Sequence, residues 1–179
     1  SGLTVKGSVI ATTGGNVENI NSSLTFNTPG LWIATDSDKA LYNNGNVFIV
    51  NGLLDIVNSG KGAVIESSLG EKWGSAVLGF AKLNVSDDVH IQSGDVGLEV
   101  LGASVNLSGN TTINSDQKDA LHVEQKWTEI GYGDYGKYSD VTIAGGYFTA
   151  PNGNAVYNSG STVNINGSGE NTVKLQGDV

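Results

Sequence analysis

An apolar residue, a spacer and a second apolar residue, closed by a mostly polar or Gly/Pro-containing bend, recur along the whole chain. The figure is plainest at Thr162-Val163-Asn164-Ile165-Asn166-Gly167, and there are seven copies of it. Their apolar pairs are Leu3/Val5, Leu24/Phe26, Val47/Ile49, Leu83/Val85, Val105/Leu107, Val141/Ile143 and Val163/Ile165. The first members stand 21, 23, 36, 22, 36 and 22 positions apart, a period of about 22 residues with two enlargements. A fixed period of this size marks a stacked solenoid.

Alternation of two is the strand period, so each copy predicts one short strand with Val163 and Ile165 facing in and Asn164 and Asn166 facing out. A second column places an aliphatic residue at one point of each rung, mostly behind Ala or Gly: Asn16-Val17, Ala40-Leu41, Ala63-Val64, Gly97-Leu98, Ala120-Leu121 and Ala155-Val156. A third follows the bend after the central strand, with Leu31/Ile33, Leu54/Ile56, Val89/Ile91, Ile113 and Val173/Leu175. Three strands per repeat predict an all-β, right-handed parallel β-helix with three faces and six to seven rungs. The handedness follows the general bias of parallel crossovers. No long stretch has helical apolar spacing, and no apolar run is long enough to span a bilayer.

Composition agrees with this picture. The 26 Gly and abundant Asn supply the left-handed conformations that tight corners need. Bends are expected at Thr12-Thr13-Gly14-Gly15, Thr28-Pro29-Gly30, Asn44-Gly45, Asn51-Gly52 and Asn58-Ser59-Gly60. At 179 residues the chain suits one domain, expected to be a segment of a longer protein because it begins inside a rung. Nine Lys, no Arg and 18 acidic residues give a net charge of −9, which argues against nucleic acid or an anionic membrane as partner, and with no spanning apolar run no membrane insertion is expected. The absence of Cys removes disulfides, thiolate metal sites and cysteine catalysis.

The two enlargements are the least generic stretches. Ser67 to Lys82 and Glu124 to Ser139 interrupt the same corner two rungs apart, so their bases are expected roughly 10 Å apart along the axis, within reach of each other. They hold Trp73, Trp127, Tyr132, Tyr135 and Tyr138 and the Lys-Trp pairs beginning at Lys72 and Lys126. Flat rings beside Lys, Glu71, Glu129 and Asp134 are what a sugar-binding or protein-binding surface uses, since they bury area at small entropic cost. The plainer reading is that the inserts fold back over one flank, with Trp73 and Phe80 as minor core.

Other constellations carry less. Asp87-Asp88-Val89-His90 offers a carboxylate pair suited to glycosidic acid–base chemistry, but alternation sets Asp88 and His90 on the outer side of a bend. His122, between inward Leu121 and Val123, reads as an outward surface histidine. Asp36-Ser37-Asp38 and Asp116 with Asp119 are oxygen-rich, yet the nonapeptide calcium pattern is missing. No metal or other cofactor is expected. Sequons begin at Asn21, Asn84, Asn106, Asn110 and Asn166, as a chain rich in Asn, Ser and Thr produces by chance.

The rung VYNSGSTVNINGSGENTVKL, with GGYFTAPNGNAVYN, resembles the repeats of bacterial autotransporter passenger domains, surface-exposed right-handed β-helices that often act as adhesins. The similarity runs along nearly the whole chain and rests on Gly/Asn bends, aliphatic alternation and absent Cys. It implies a non-enzymic structural and adhesive module, secreted or held at the bacterial surface. Such a module mediates attachment or self-association, with a host-cell or bacterial surface protein or glycan as partner. The alternative is a carbohydrate-active, lyase- or hydrolase-like β-helix or a phage tailspike fragment, whose catalytic motifs are not matched in this chain.

Overall fold

The computed structural model describes residues 2–6, 10–13, 15–72, 75–130, 133–167 and 173–178. Every element among these residues is a strand, and three parallel sheets of seven, seven and six strands wind into a right-handed three-faced β-helix. The first face stacks Gly2–Lys6, Ser23–Asn27, Asn46–Val50, Lys82–Val85, Ser104–Leu107, Asp140–Ile143 and Thr162–Ile165, the seven copies of the sequence figure in order. Their register is continuous, Leu24 on Val47, Val47 on Leu83, Leu83 on Val105 and Val105 on Val141.

The second face stacks Ile10–Thr13, Gly30–Thr35, Leu53–Asn58, Val89–Ser93, Thr111–Ser115, Gly146–Asn154 and Val173–Asp178. The third stacks Val17–Asn19, Lys39–Asn43, Lys61–Glu66, Leu98–Leu101, Leu121–Glu124 and Val156–Ser159. Each rung takes one strand from each face in turn. The inward residues Leu31, Ile33, Leu54, Ile56, Leu83, Leu98, Val105, Leu107, Leu121, Ile143 and Phe148 make one continuous core. On the second face, Leu175 aligns with Phe148 and is left exposed on the last rung.

Two details differ from the sequence reading. Thr12 and Thr13 lie in a strand opposite Ile33 and Ala34, not in a bend. On the third face Ala63, not Val64, aligns with Leu41 and Leu98, and Val64 aligns with the outward Tyr42 and Glu99. The run Ala63-Val64-Ile65 hides its own parity, because three apolar residues in a row fit either phase. Gly62 settles it, since a Cβ there would come 2.3 Å from the carbonyl oxygen of Gly97.

Polar ladders also run inside the corners. At the turn from the third face to the first, buried Asn19 donates to the Asn43 Oδ1 at 2.9 Å, and Asn43 donates to the Lys82 carbonyl at 2.7 Å. At the turn into the third face, Asn58, Ser93 and Ser115 stack in register and are buried. These side chains satisfy backbone groups that the bends leave without a strand partner.

Candidate functional site

The turn from the third face to the first is short after most rungs, as at Asn44-Gly45 and Gly102-Ala103. After the third and fifth rungs it carries the two inserts. Each insert is an antiparallel ribbon: Leu69–Lys72 pairs with Ser75–Leu78, and Lys126–Ile130 pairs with Gly133–Lys137. Buried serines close their bases. Ser67 Oγ accepts from the Ala81 amide at 3.0 Å, and Ser139 Oγ accepts from the Ala103 amide at 3.2 Å.

The ribbons meet across the rung between them. Lys126 of the second pairs with Glu66 below the first, and Glu66 also accepts from the Tyr42 hydroxyl at 3.2 Å. Lys137 reaches Ser67 Oγ at 3.1 Å and the Gly79 carbonyl at 3.4 Å, and its ammonium lies 3.8 Å from the centre of the Phe80 ring. Gly102 makes this bridge possible. It has φ +57° and sits where a Cβ would come 2.9 Å from the Lys126 Cβ and 3.1 Å from the Lys137 carbonyl oxygen.

Of the aromatic and basic residues expected at this site, Trp127 is 52% exposed and lies over Gly136 of its own ribbon, and Tyr138 is 65% exposed. Lys126 is half-buried and engaged with Glu66. Lys72 and Tyr135 lie in ribbon strands, while Trp73 and Tyr132 fall outside the described residues. Phe80, taken on the plainer reading as minor core, is instead 60% exposed, because the corner it leaves is already closed by Ser67 and Ala81. Phe80 and Lys137 are thus members of this surface that the sequence pattern did not single out as ligand-facing. Their signal was position alone, at the base of an insert.

Beside the base of the first ribbon lies a cleft of about 320 Å³, lined by residues that include Asn21, Ser23, Asn44, Asn46, Gly79 and Phe80. It lies between the short corners of the two preceding rungs and the residues that follow the first ribbon. Those corners nest closely, since a Cβ on Gly45 would meet the Ser22 carbonyl oxygen at 2.2 Å. Asn21 and Asn44 are tied into the floor, the Asn21 amide donating to Asn44 Oδ1 at 3.0 Å and Ser68 Oγ to Asn21 Oδ1 at 3.3 Å.

Burial, and after it the like charge of Lys82, holds the Lys137 ammonium at about 8, below the ordinary 10.5. Between these two values the unfolded chain carries a proton that the folded chain has released, so the contribution of Lys137 to stability rises with pH across that window. Compared with Lys137→Met, the parent protein is expected to gain on the order of 2 °C in Tm between pH 8 and pH 10.5, the ammonium being partly solvated. Parallel Tm curves for the two proteins would show that folding does not desolvate this ammonium.

The other constellations make contacts within the scaffold. Asp88 Oδ1 accepts from the Asn110 amide at 2.8 Å and Asp87 Oδ1 from the Asp88 amide at 2.9 Å, so this carboxylate pair braces a bend. His122 points outward but is held. Its Nδ1 is 2.6 Å from Asp119 Oδ2, its Nε2 is 3.3 Å from Glu124 Oε1, and its ring stacks on Tyr157 at 4.6 Å. Burial would raise the Asp119 carboxyl, but hydrogen bonds from His122 and Asn154 outweigh it and hold the group below its ordinary range. Asp38 pairs with Lys39 at 3.2 Å and Asp116 accepts from Gln92 at 3.1 Å. Among the described residues no three His, Asp or Glu side chains gather as a metal site.

Comparison with protein-family models, with curated proteins and with solved structures gives no match.

Proposed function

We propose that this chain is a structural and adhesive β-solenoid module that works at a cell surface or after secretion, in the manner of an autotransporter passenger segment. The corner carrying the two ribbons meets a host-cell or bacterial surface protein or glycan, or a second copy of the chain. The observation that supports this reading is the gathering of Phe80, Trp127 and Tyr138, all more than half exposed, along one corner of an otherwise regular coil. Exposed rings on a rigid scaffold lose little conformational entropy on binding. Amide and hydroxyl groups dominate the cleft that Phe80 lines, and such groups hold a sugar rather than cleave it.

Trp127→Ala and Tyr138→Ala are expected to reduce attachment to cells or to a glycan-coated surface several-fold. Their Tm should shift by less than about 2 °C, because half-exposed rings contribute little to the stacked core. Attachment at the parent level with both rings removed would overturn the reading and leave the chain a spacer.

A further inference from the structure

Lys39, Lys61, Lys118 and Lys126 each pair with a carboxylate. Lys82 and Lys137 do not, among the described residues, although the chain carries twice as many acidic as basic groups. They are also neighbours, close enough for Lys82 to repel the Lys137 ammonium.

Neither lines the cleft at the first ribbon, but each adjoins residues that do. Lys82 is the register partner of Asn46 on the first face; both point outward, and Asn46 lines the cleft. Lys137 bonds the carbonyl of Gly79 and covers the ring of Phe80, the two residues forming the cleft's other wall. A small cleft with an aromatic wall and amide groups from Asn21, Asn44 and Asn46 is therefore bordered by two cations lacking a carboxylate partner among the described residues.

We propose that this cleft binds a carboxylated sugar, its carboxylate set between Lys82 and Lys137 and its ring against Phe80, with hydroxyls meeting the asparagine amides. The volume lies at the small end of ligand clefts, about 300–1,000 Å³, and so suits one or two sugar rings. An aromatic face takes the apolar face of a pyranose, amides match vicinal hydroxyls in both donor and acceptor roles, and ammonium groups make charge-assisted bonds to a carboxylate. A neutral sugar would leave the two ammonium groups repelling each other. The carboxylate would relieve that repulsion. The inference rests on reading the ribbon-bearing corner as a binding surface, and it names the ligand class.

Calorimetric titration of the whole chain tests it with two matched pairs, sialyllactose against lactose and digalacturonate against its methyl ester. At least one acidic member should bind about tenfold more tightly than its neutral partner. The preference should weaken with added salt, and it should be lost in Lys82→Gln and Lys137→Gln. Which pair shows the preference distinguishes a sialate from a uronate. Phe80→Ala should weaken the acidic ligand without restoring the neutral one to parity. Lys82 is exposed, so Lys82→Gln leaves the fold intact and keeps the test valid if changes at Lys137 disturb the ribbons. Equal affinity for acidic and neutral members, no binding of any of the four, or a preference that survives both lysine changes would overturn the proposal.

Cell attachment measured alongside separates this inference from the broader one. Attachment lost in Trp127→Ala without any acidic-sugar preference in the parent sinks the cleft and keeps the adhesive surface. An acidic preference with attachment indifferent to Trp127 and Tyr138 does the reverse.

Discussion

Ile143→Asp is expected to lower Tm by 10 °C or more, or to leave no cooperative transition, as followed by circular dichroism. Ile143 is fully buried on the first face, between Leu107 of the rung below and Ile165 of the rung above. A carboxylate there faces the apolar side chains of the core. The lost burial of the aliphatic group, about 2 kcal/mol, adds to the cost of an unpaired charge, so several kcal/mol are at stake. For a chain of this size each kcal/mol corresponds to roughly 2–4 °C. Leu107→Asp should behave alike. Asn164→Asp, on the exposed side of the last first-face strand, should shift Tm by no more than about 2 °C. Similar shifts at Ile143 and Asn164 would contradict the inward and outward assignment.

Asn43→Leu is the second large effect. Asn43 is fully buried and uses its whole side chain: Oδ1 accepts from Asn19 Nδ2 at 2.9 Å and from the Gly45 amide at 3.0 Å, and Nδ2 donates to the Lys82 carbonyl at 2.7 Å. Leucine has similar bulk but removes these three hydrogen bonds; Asn19 Nδ2 keeps the Ser22 and Asn46 carbonyls, while the Gly45 amide and the Lys82 carbonyl lose their side-chain partner, each at a cost of about 1–3 kcal/mol. A loss of about 3–5 kcal/mol is expected by denaturant titration. Asn106→Ala, at an exposed site on the first face, should stay within about 0.5 kcal/mol. A loss at Asn43 no larger than at Asn106 would mean that the corner does not depend on its asparagine ladder.

The first face was legible in the sequence because its strands alternate cleanly. Leu83-Asn84-Val85 and Val105-Asn106-Leu107 admit one phase only. The third face was legible except at Ala63-Val64-Ile65, where unbroken apolar character removed the parity signal and the close approach at Gly62 decided the register. The ladders through Asn19, Asn43 and Asn58 were not legible, since an asparagine before a bend reads as a turn residue whether its side chain turns in or out. Insert positions followed from counting residues between copies. That the inserts form antiparallel ribbons joined through Lys126 and Lys137 depends on contacts between residues about 60 apart, which spacing alone does not carry. Phe80 is the clearest instance. An aromatic beside a core alanine suggests burial, and only the closure of the corner by Ser67 shows why it stays outside.

The link between the ribbons has a mechanical consequence. In a β-helix the hydrogen bonds between rungs run along the axis, so tension applied end to end loads them lengthwise, and rungs can peel away singly with little resistance from their neighbours. The bridge from Lys126 and Lys137 to Glu66, Ser67 and Phe80 bypasses one complete rung. It therefore acts as a clamp holding three rungs as a single mechanical unit. Extension of the chain under force should show one long step for this segment amid shorter single-rung steps on either side. A surface that must stay assembled while a cell pulls on it would then sit in the part of the filament slowest to unravel.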